Sequence, residues 1–233
     1  MAVVVWLCAG GGEAEVAGLV PFLNRYFRGC GFKRMTPILQ KPGPRPNAQG
    51  YGKTGKSLAQ QIERQLTEAL KAGETCALVL VLDDLDCRDV EQQKQLFYAT
   101  LERIEGLADV PKFVGFAAPE LEAWLIADWD HTFARHVDFR KAHEAMRRWL
   151  SQERNVPFAA PETFSHYDAA KDSCADKLSQ ELIDAALEYS DTHYSKATHT
   201  PALLRDARPD VIRRKCPLFR ELYTALSSFC SQN

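Results

Sequence analysis

The sequence predicts an α/β fold, a mainly parallel sheet flanked by helices, with a helical C-terminal annex. Three observations carry this. Residues 77–82, Ala-Leu-Val-Leu-Val-Leu, form an unbroken apolar run that ends in Asp83-Asp84-Leu85-Asp86. A strand without polar alternation suits a parallel sheet covered on both faces. Apolar runs and helical periodicities then alternate along the first half of the chain, which implies right-handed crossovers between parallel strands. Beyond about Trp129 no strand signal remains, so the chain divides into an α/β domain over residues 1–130 and a helical extension over 131–233 packed on it.

The first strand is Met1 to Cys8, followed by Ala9-Gly10-Gly11-Gly12 and an apolar stripe through Val16, Leu19, Val20, Leu23 and Phe27. That is strand, tight glycine turn and helix, with Glu13 and Glu15 in the first turn where they complement the helix dipole. Lys33 to Leu39 reads as a second strand. From Lys41 to Lys56 the chain is rich in Pro, Gly and cations and reads as a loop. A helix from Ser57 to Ala72 carries Leu58, Ile62, Leu66 and Leu70 on one stripe, and Ala72-Gly73 closes it. Val90 to Ile104 is helical again, Lys112 to Phe116 is a short strand, and Pro119 to Asp128 is a helix with Pro in its first turn.

A chain of 233 residues with 45% hydrophobic content can bury a sizeable core. Lysine and arginine number 29 against 31 acids, a net charge of −2, which argues against a general basic coat and leaves room for a local basic groove. The seven cysteines are scattered, odd in number and free of any Cys-x-x-Cys pair, and read as reduced thiols of a cytoplasmic protein. The apolar start has no basic leader, so it reads as a buried strand rather than a signal peptide. No run approaches the length that crosses a bilayer, which sets a membrane aside.

The acids after the third strand are the first candidates for chemistry. On an extended backbone Asp84 and Asp86 share one side, and two carboxylates that close need positive charge between them. Oxygen ligands at a strand tip suit Mg²⁺ or Mn²⁺. The alternative is an acidic loop that caps the helix starting near Val90. Glu120 and Glu122 follow the next strand on the same side of the sheet, either as ordinary first-turn acids or as partners of the aspartates. Three strand ends, after Leu7, Leu82 and Phe116, thus deliver carboxylates to one sheet edge. Lys196, in Tyr194-Ser195-Lys196, is a cation able to neutralise a phosphate or leaving oxygen, or else a surface lysine.

Gly50-Tyr51-Gly52-Lys53-Thr54-Gly55-Lys56-Ser57 fits the P-loop pattern, but the residues before it, Lys41-Pro42-Gly43-Pro44-Arg45-Pro46, cannot be a central strand. A basic loop that touches a phosphate backbone is the preferred reading, with nucleotide binding and an idle solvated loop as alternatives. Glu15 stands where a dinucleotide fingerprint has its third glycine. The six histidines show no helical pair with a third ligand nearby, and no Gly-x-Ser-x-Gly is present, so zinc and serine-hydrolase chemistry lack support.

The glycine turn, Asp84-Leu85-Asp86, the segment Glu120-Leu121-Glu122-Ala123-Trp124-Leu125-Ile126-Ala127-Asp128, and Tyr194-Ser195-Lys196 with Cys216-Pro217-Leu218-Phe219, taken in order, resemble the TOPRIM-related proteins. Within them the chain is most similar to the domain of unknown function 4276 family, itself similar to nucleases of the overcoming-lysogenisation-defect and RloB-like types. The resemblance implies a TOPRIM-like fold around Mg²⁺ (or Mn²⁺), with Asp84 and Asp86 as the metal pair and Glu13 as the second glutamate of the Glu-Gly-x-x-Glu turn. The first glutamate of that turn falls on Ala9. Either Glu13 or Glu15 substitutes, Glu120 or Glu122 completes the cage, or the site is catalytically dead.

What this implies is a Mg²⁺-dependent phosphodiesterase acting on DNA or RNA, the effector of a bacterial anti-phage pair with an ABC-type ATPase. Asp84, Asp86, Glu13, Glu120 and Glu122 are its expected metal ligands; Glu13, Asp84, Asp86, Glu120 and Lys196 are its expected catalytic set. Self-association is left open. The alternatives are an impaired TOPRIM-shaped binding module and a P-loop nucleotide-binding protein.

Overall fold

The computed structural model describes residues 2–36 and 53–232, with the side chains of 13–15 outside that description. Strands β1 (Val3–Ala9), β2 (Cys30–Thr36), β3 (Leu78–Asp84) and β4 (Lys112–Ala117) form one sheet in the order β2-β1-β3-β4, every pair parallel. Parallel neighbours require crossovers. These are α1 (Glu13–Tyr26), α2 (Gly55–Lys71) and α3 (Val90–Glu102).

Strand alternation sorts the apolar residues into two layers. Leu78, Leu80 and Leu82 of β3 and Val5 and Leu7 of β1 pack with Val16, Leu19, Phe22 and Leu23 of α1. Val79, Val81 and Trp6 face the other way, onto Leu58, Ile62 and Leu66 of α2 and Phe97 and Leu101 of α3. Burial on both faces is the physical reason the β3 run has no polar alternation.

The C-terminal region adds α4 (Glu122–Ala127), α5 (His143–Gln152), α6 (Leu178–Tyr189), α7 (Lys196–Asp206), α8 (Pro209–Lys215) and α9 (Pro217–Gln232). It extends the α1 layer. Trp124 of α4 meets Phe219 of α9 edge-on with centroids 4.6 Å apart, and Phe22 of α1 lies 6.2 Å from Trp124. Helices α1 and α7 close up at Gly18, where an added Cβ would stand 2.5 Å from the Pro201 Cα.

Several helix starts in this region are capped from afar. Glu162 accepts from Leu218 N (2.8 Å) and Phe219 N (3.1 Å) at the start of α9, and Asp128 accepts from Arg208 N (2.7 Å) ahead of α8. Carboxylates are stabilising there because the first-turn N–H groups are orphaned and the dipole is positive.

The structure corrects four expectations. Residues 167–168 and 173–174 pair as a small antiparallel hairpin, β5 (Tyr167–Asp168) and β6 (Ser173–Cys174), where only helices and loops were expected; two-residue strands leave no periodicity to detect. Pro119 does not open a helix: the Ala118–Pro119 peptide is cis and α4 starts at Glu122. The second strand runs Cys30–Thr36, three residues before the expected start, and 37–39 lie outside the described residues. The cysteines are not all thiols. Cys30 bonds Cys230 and Cys87 bonds Cys174, with Cα–Cα distances of 5.5 and 5.0 Å, leaving Cys8, Cys76 and Cys216 free. Partners 200 and 87 residues apart make no local spacing pattern.

The first three residues of the P-loop-like segment, 50–52, and most of the basic loop before it lie outside the described residues. Lys53 bridges to Gly11, and α2 begins at Gly55, ahead of the expected Ser57.

Candidate acidic site

The C-terminal ends of β3 and β4 build the site together. Strand β3 ends at Asp84, and the pairing then continues irregularly. Leu85 N donates to Ala117 O (2.8 Å) and Asp86 N to Pro119 O (2.9 Å), which sets Asp86 against the linker that carries Glu120. Asp86 itself has φ 51. The extended periodicity therefore does not reach it, and Asp84 and Asp86 take different partners.

Asp84 Oδ1 accepts from Leu121 N at 3.0 Å. Asp86 Oδ2 accepts from Arg88 at 3.2 Å, and its Oδ1 accepts from the Lys177 ammonium in a short contact. The same Lys177 Nζ lies 3.7 Å from Glu120 Oε1. Glu120 also caps α6 through Ser179 N (2.9 Å) and Ser179 Oγ (3.3 Å). Asp86 and Glu120, 34 residues apart by number, thus meet on one cation. The capping of α3 falls to Asp89, which accepts from Gln92 N at 2.8 Å.

Asp83 points into the other layer and is 2% exposed. Its Oδ2 accepts from Gly55 N at 2.7 Å, while Oδ1 finds no hydrogen-bond partner among the described residues. Burial pushes its carboxyl up to about 7; the Gly55 N–H opposes the shift, the Asp86 charge adds to it and Arg88 subtracts. Gly10 is required beside it, because a Cβ there would lie 2.0 Å from Asp83 Oδ1.

Glu122 is fully buried and belongs to a separate cluster. Its Oε1 accepts from Tyr194 and Thr200 hydroxyls at 3.3 Å each, and Lys196 Nζ lies 3.3 Å from Oε2. Burial and the Glu122 charge raise the Tyr194 phenol far above its ordinary value, so it donates rather than ionises. Lys196 therefore stands on Glu122, and the cation on Asp86 and Glu120 is Lys177. Glu13 opens α1, and its side chain is outside the described residues. Gly10, Val16 and Leu19 on the α1 side line one small gap with Asp83, Asp84 and Leu121, so the start of α1 borders the aspartates.

Two cations escaped the sequence reading. Lys177 lies in a stretch with no motif, and Arg88 follows the acids directly but carried no pattern. Arg88 is held charged: its partial burial opposes the charge, and hydrogen bonds to Asp172 with the nearby Asp86 outweigh that. It also lines an open cleft of about 910 Å³ with Lys56, Ser57, Gln92, Gln93 and Tyr167.

The carboxylate oxygens of Asp84, Asp86 and Glu120 are the hard donors Mg²⁺ prefers, and the spot between Asp86 and Glu120 already draws a positive charge. Among the described residues no three His, Cys, Asp or Glu side chains converge as a ready metal cage. In this structure the carboxylate oxygens are already engaged, Asp86 by Lys177 and Arg88 and Glu120 by Lys177 and Ser179.

The profile of a domain of unknown function, DUF4276, matches residues 12–227, nearly the whole chain. The chain belongs to the DUF4276 family. Searches of curated proteins and of solved structures each returned no match. The matched span of this DUF4276 protein takes in Gly12, Asp83 to Asp86, Glu120, Lys177 and both disulfides except the Cys230 end. Among its described residues no helix is long and apolar enough to cross a membrane.

Proposed function

We propose that this DUF4276 protein is a TOPRIM-like, Mg²⁺-dependent phosphodiesterase acting on DNA or RNA. The observation that carries the reading is the meeting of Asp86 and Glu120 on one cation at the C-terminal edge of a parallel sheet, where α/β folds build their sites, with Asp84 bonded to the backbone N–H of Leu121, the residue after Glu120. Asp84, Asp86 and Glu120 would hold the ion, with Glu13 at the start of α1 as a further ligand. When bound, the ion polarises the scissile phosphate and lowers the pKa of water. The chain's own residues orient the substrate. Lys56 and Arg88, in the cleft that adjoins Asp86, offer charge to the polynucleotide backbone. The effector role beside an ABC-type ATPase in phage defence is supported by the family resemblance.

The test is cleavage of plasmid, single-stranded DNA and RNA with Mg²⁺ or Mn²⁺. Asp84→Ala should abolish cutting while circular dichroism stays native. Equal cutting by wild type and Asp84→Ala, or by wild type in excess EDTA, refutes the assignment.

A second reading has its own observation: Ala9, where the resemblance expects the first glutamate, is buried, and its carbonyl is engaged by Thr36 Oγ1 at 3.0 Å. On that reading the domain binds nucleic acid without cutting it. Binding by the wild type without any metal-dependent product would favour it.

A further inference from the structure

We propose that the open cleft beside Asp86 takes single-stranded nucleic acid, one base stacking on Tyr167 while the adjoining phosphate meets Lys56. The inference rests on the nucleic-acid reading above and narrows its substrate to strands whose bases are unpaired.

Among the described residues few large apolar side chains stand exposed, and Tyr167, at 43%, is the one that lines the cleft. Three restraints hold its ring there. The hydroxyl donates to Asp172 Oδ1 at 2.8 Å, Asp172 in turn accepts from Arg88, and the Cys87–Cys174 disulfide ties the β5–β6 hairpin to the chain just past β3. A ring fixed in advance loses little freedom on binding, which is how tyrosine offers stacking area at low entropic cost.

The charge comes from another element. Lys56, in the first turn of α2, is exposed, lines the same cleft and makes no hydrogen bond or ion pair among the described residues. It stands close enough to the hairpin to help hold the Asp172 carboxyl below its ordinary value, after the Tyr167 hydroxyl and the Arg88 guanidinium. The acids that line the cleft are already engaged, Asp89 by Gln92 N–H and Asp172 by Tyr167 and Arg88, so Lys56 is the cation left for a phosphate. The side-chain amides of Gln92 and Gln93, which hydrogen-bond no other described residue, add donors and acceptors of the kind a base edge pairs with.

An aromatic face, an available cation and open amides around about 910 Å³ match the base-and-phosphate repeat of a polynucleotide and exceed what a bare phosphate needs. A duplex cannot use them. Each of its bases is already stacked between neighbours and paired at its edge, so only an unpaired strand offers a base face to Tyr167.

The experiment is fluorescence anisotropy on the full chain in EDTA with labelled probes of equal length: a thymidine strand, that strand in duplex, and an abasic strand. The thymidine strand should bind more tightly than either of the others. Tyr167→Ala should weaken its binding about tenfold and leave the abasic strand unchanged, whereas Tyr167→Phe, which keeps the ring, should bind close to wild type. Tyr167→Leu, equally without a ring, replaces the alanine variant if that fails to fold. Lys56→Ala should lower the slope of log affinity against log salt by about 0.7. A duplex bound as tightly as the strand, a Tyr167→Ala chain that binds the strand like wild type, or no binding of the strand overturns the inference. Working in EDTA keeps it apart from the phosphodiesterase reading: cutting in Mg²⁺ with no Tyr167 effect on binding leaves that reading standing and sinks this one, and ring-dependent binding with no cutting in Mg²⁺ or Mn²⁺ does the opposite.

Discussion

Replacing Asp83 with Asn should change how the stability of the fold depends on pH. The carboxyl is 2% exposed, one oxygen is held by Gly55 N–H at 2.7 Å, and burial pushes its pKa up to about 7. In the unfolded chain an aspartate ionises near 3.9. Between those values the folded protein holds a proton that the unfolded chain has lost, so stability falls as pH rises through this window. It is fully present below pH ~4 and lost above pH ~7. Three pKa units correspond to an upper bound of about 4 kcal/mol. Asn imitates the protonated carboxyl, keeps an acceptor for Gly55, and removes the slope. The assay is urea unfolding of wild type and Asp83→Asn at pH 4.5 to 8 in EDTA, reading the difference between the two at each pH so that other titrating groups cancel. The two should be of similar stability at pH 4.5, with the variant gaining progressively to pH 8. A difference that stays flat across the range would falsify the claim that Asp83 is buried without a compensating charge.

Gly10→Ala should cost about 1–3 kcal/mol by overpacking, since its Cβ would fall 2.0 Å from Asp83 Oδ1; chemical denaturation measures it, and a neutral effect removes the close contact. Glu162→Ala uncaps α9 by stripping the acceptor from Leu218 and Phe219 N–H, and should destabilise by about 1–3 kcal/mol, seen as a lower urea midpoint. Glu122→Ala removes the acceptor shared by the buried Tyr194 and Thr200 hydroxyls, leaving them only each other, and takes the carboxylate from Lys196; a loss of about 3–5 kcal/mol is expected, with Glu122→Gln milder. Cys230→Ser frees the C-terminal helix from β2 and should lower the unfolding free energy by about 2–5 kcal/mol, an effect that disappears if both proteins are compared under full reduction.

Most of the sheet was legible in the letters because β1, β3 and β4 are short, largely apolar and bounded, whereas β2 carries Lys33 and Arg34. Ala77 to Leu82 needs no partner to announce itself, and β1, α2, α3 and β4 begin or end within a few residues of where periodicity puts them. Of the acids after β3 and β4, the structure brings Asp86 and Glu120 together and sets Glu122 apart with Tyr194, Thr200 and Lys196. Their partners were not legible. Asp86 was read by strand alternation as a companion of Asp84, and the turn at φ 51 sends it to Lys177 instead. Lys196 looked like the cation of the site because a resembling motif surrounds it, and it stands on Glu122, while the unremarked Lys177 bridges Asp86 and Glu120.

What this chain determined locally was therefore where apolar surface must be buried and which edge of the sheet collects negative charge, since both follow from residue type and period alone. Which cation answers that charge, which helix each carboxylate caps and which cysteines join were decided by the tertiary structure. Each depends on two segments that are distant in sequence and become neighbours only when the α1 layer and the C-terminal helices close over the sheet.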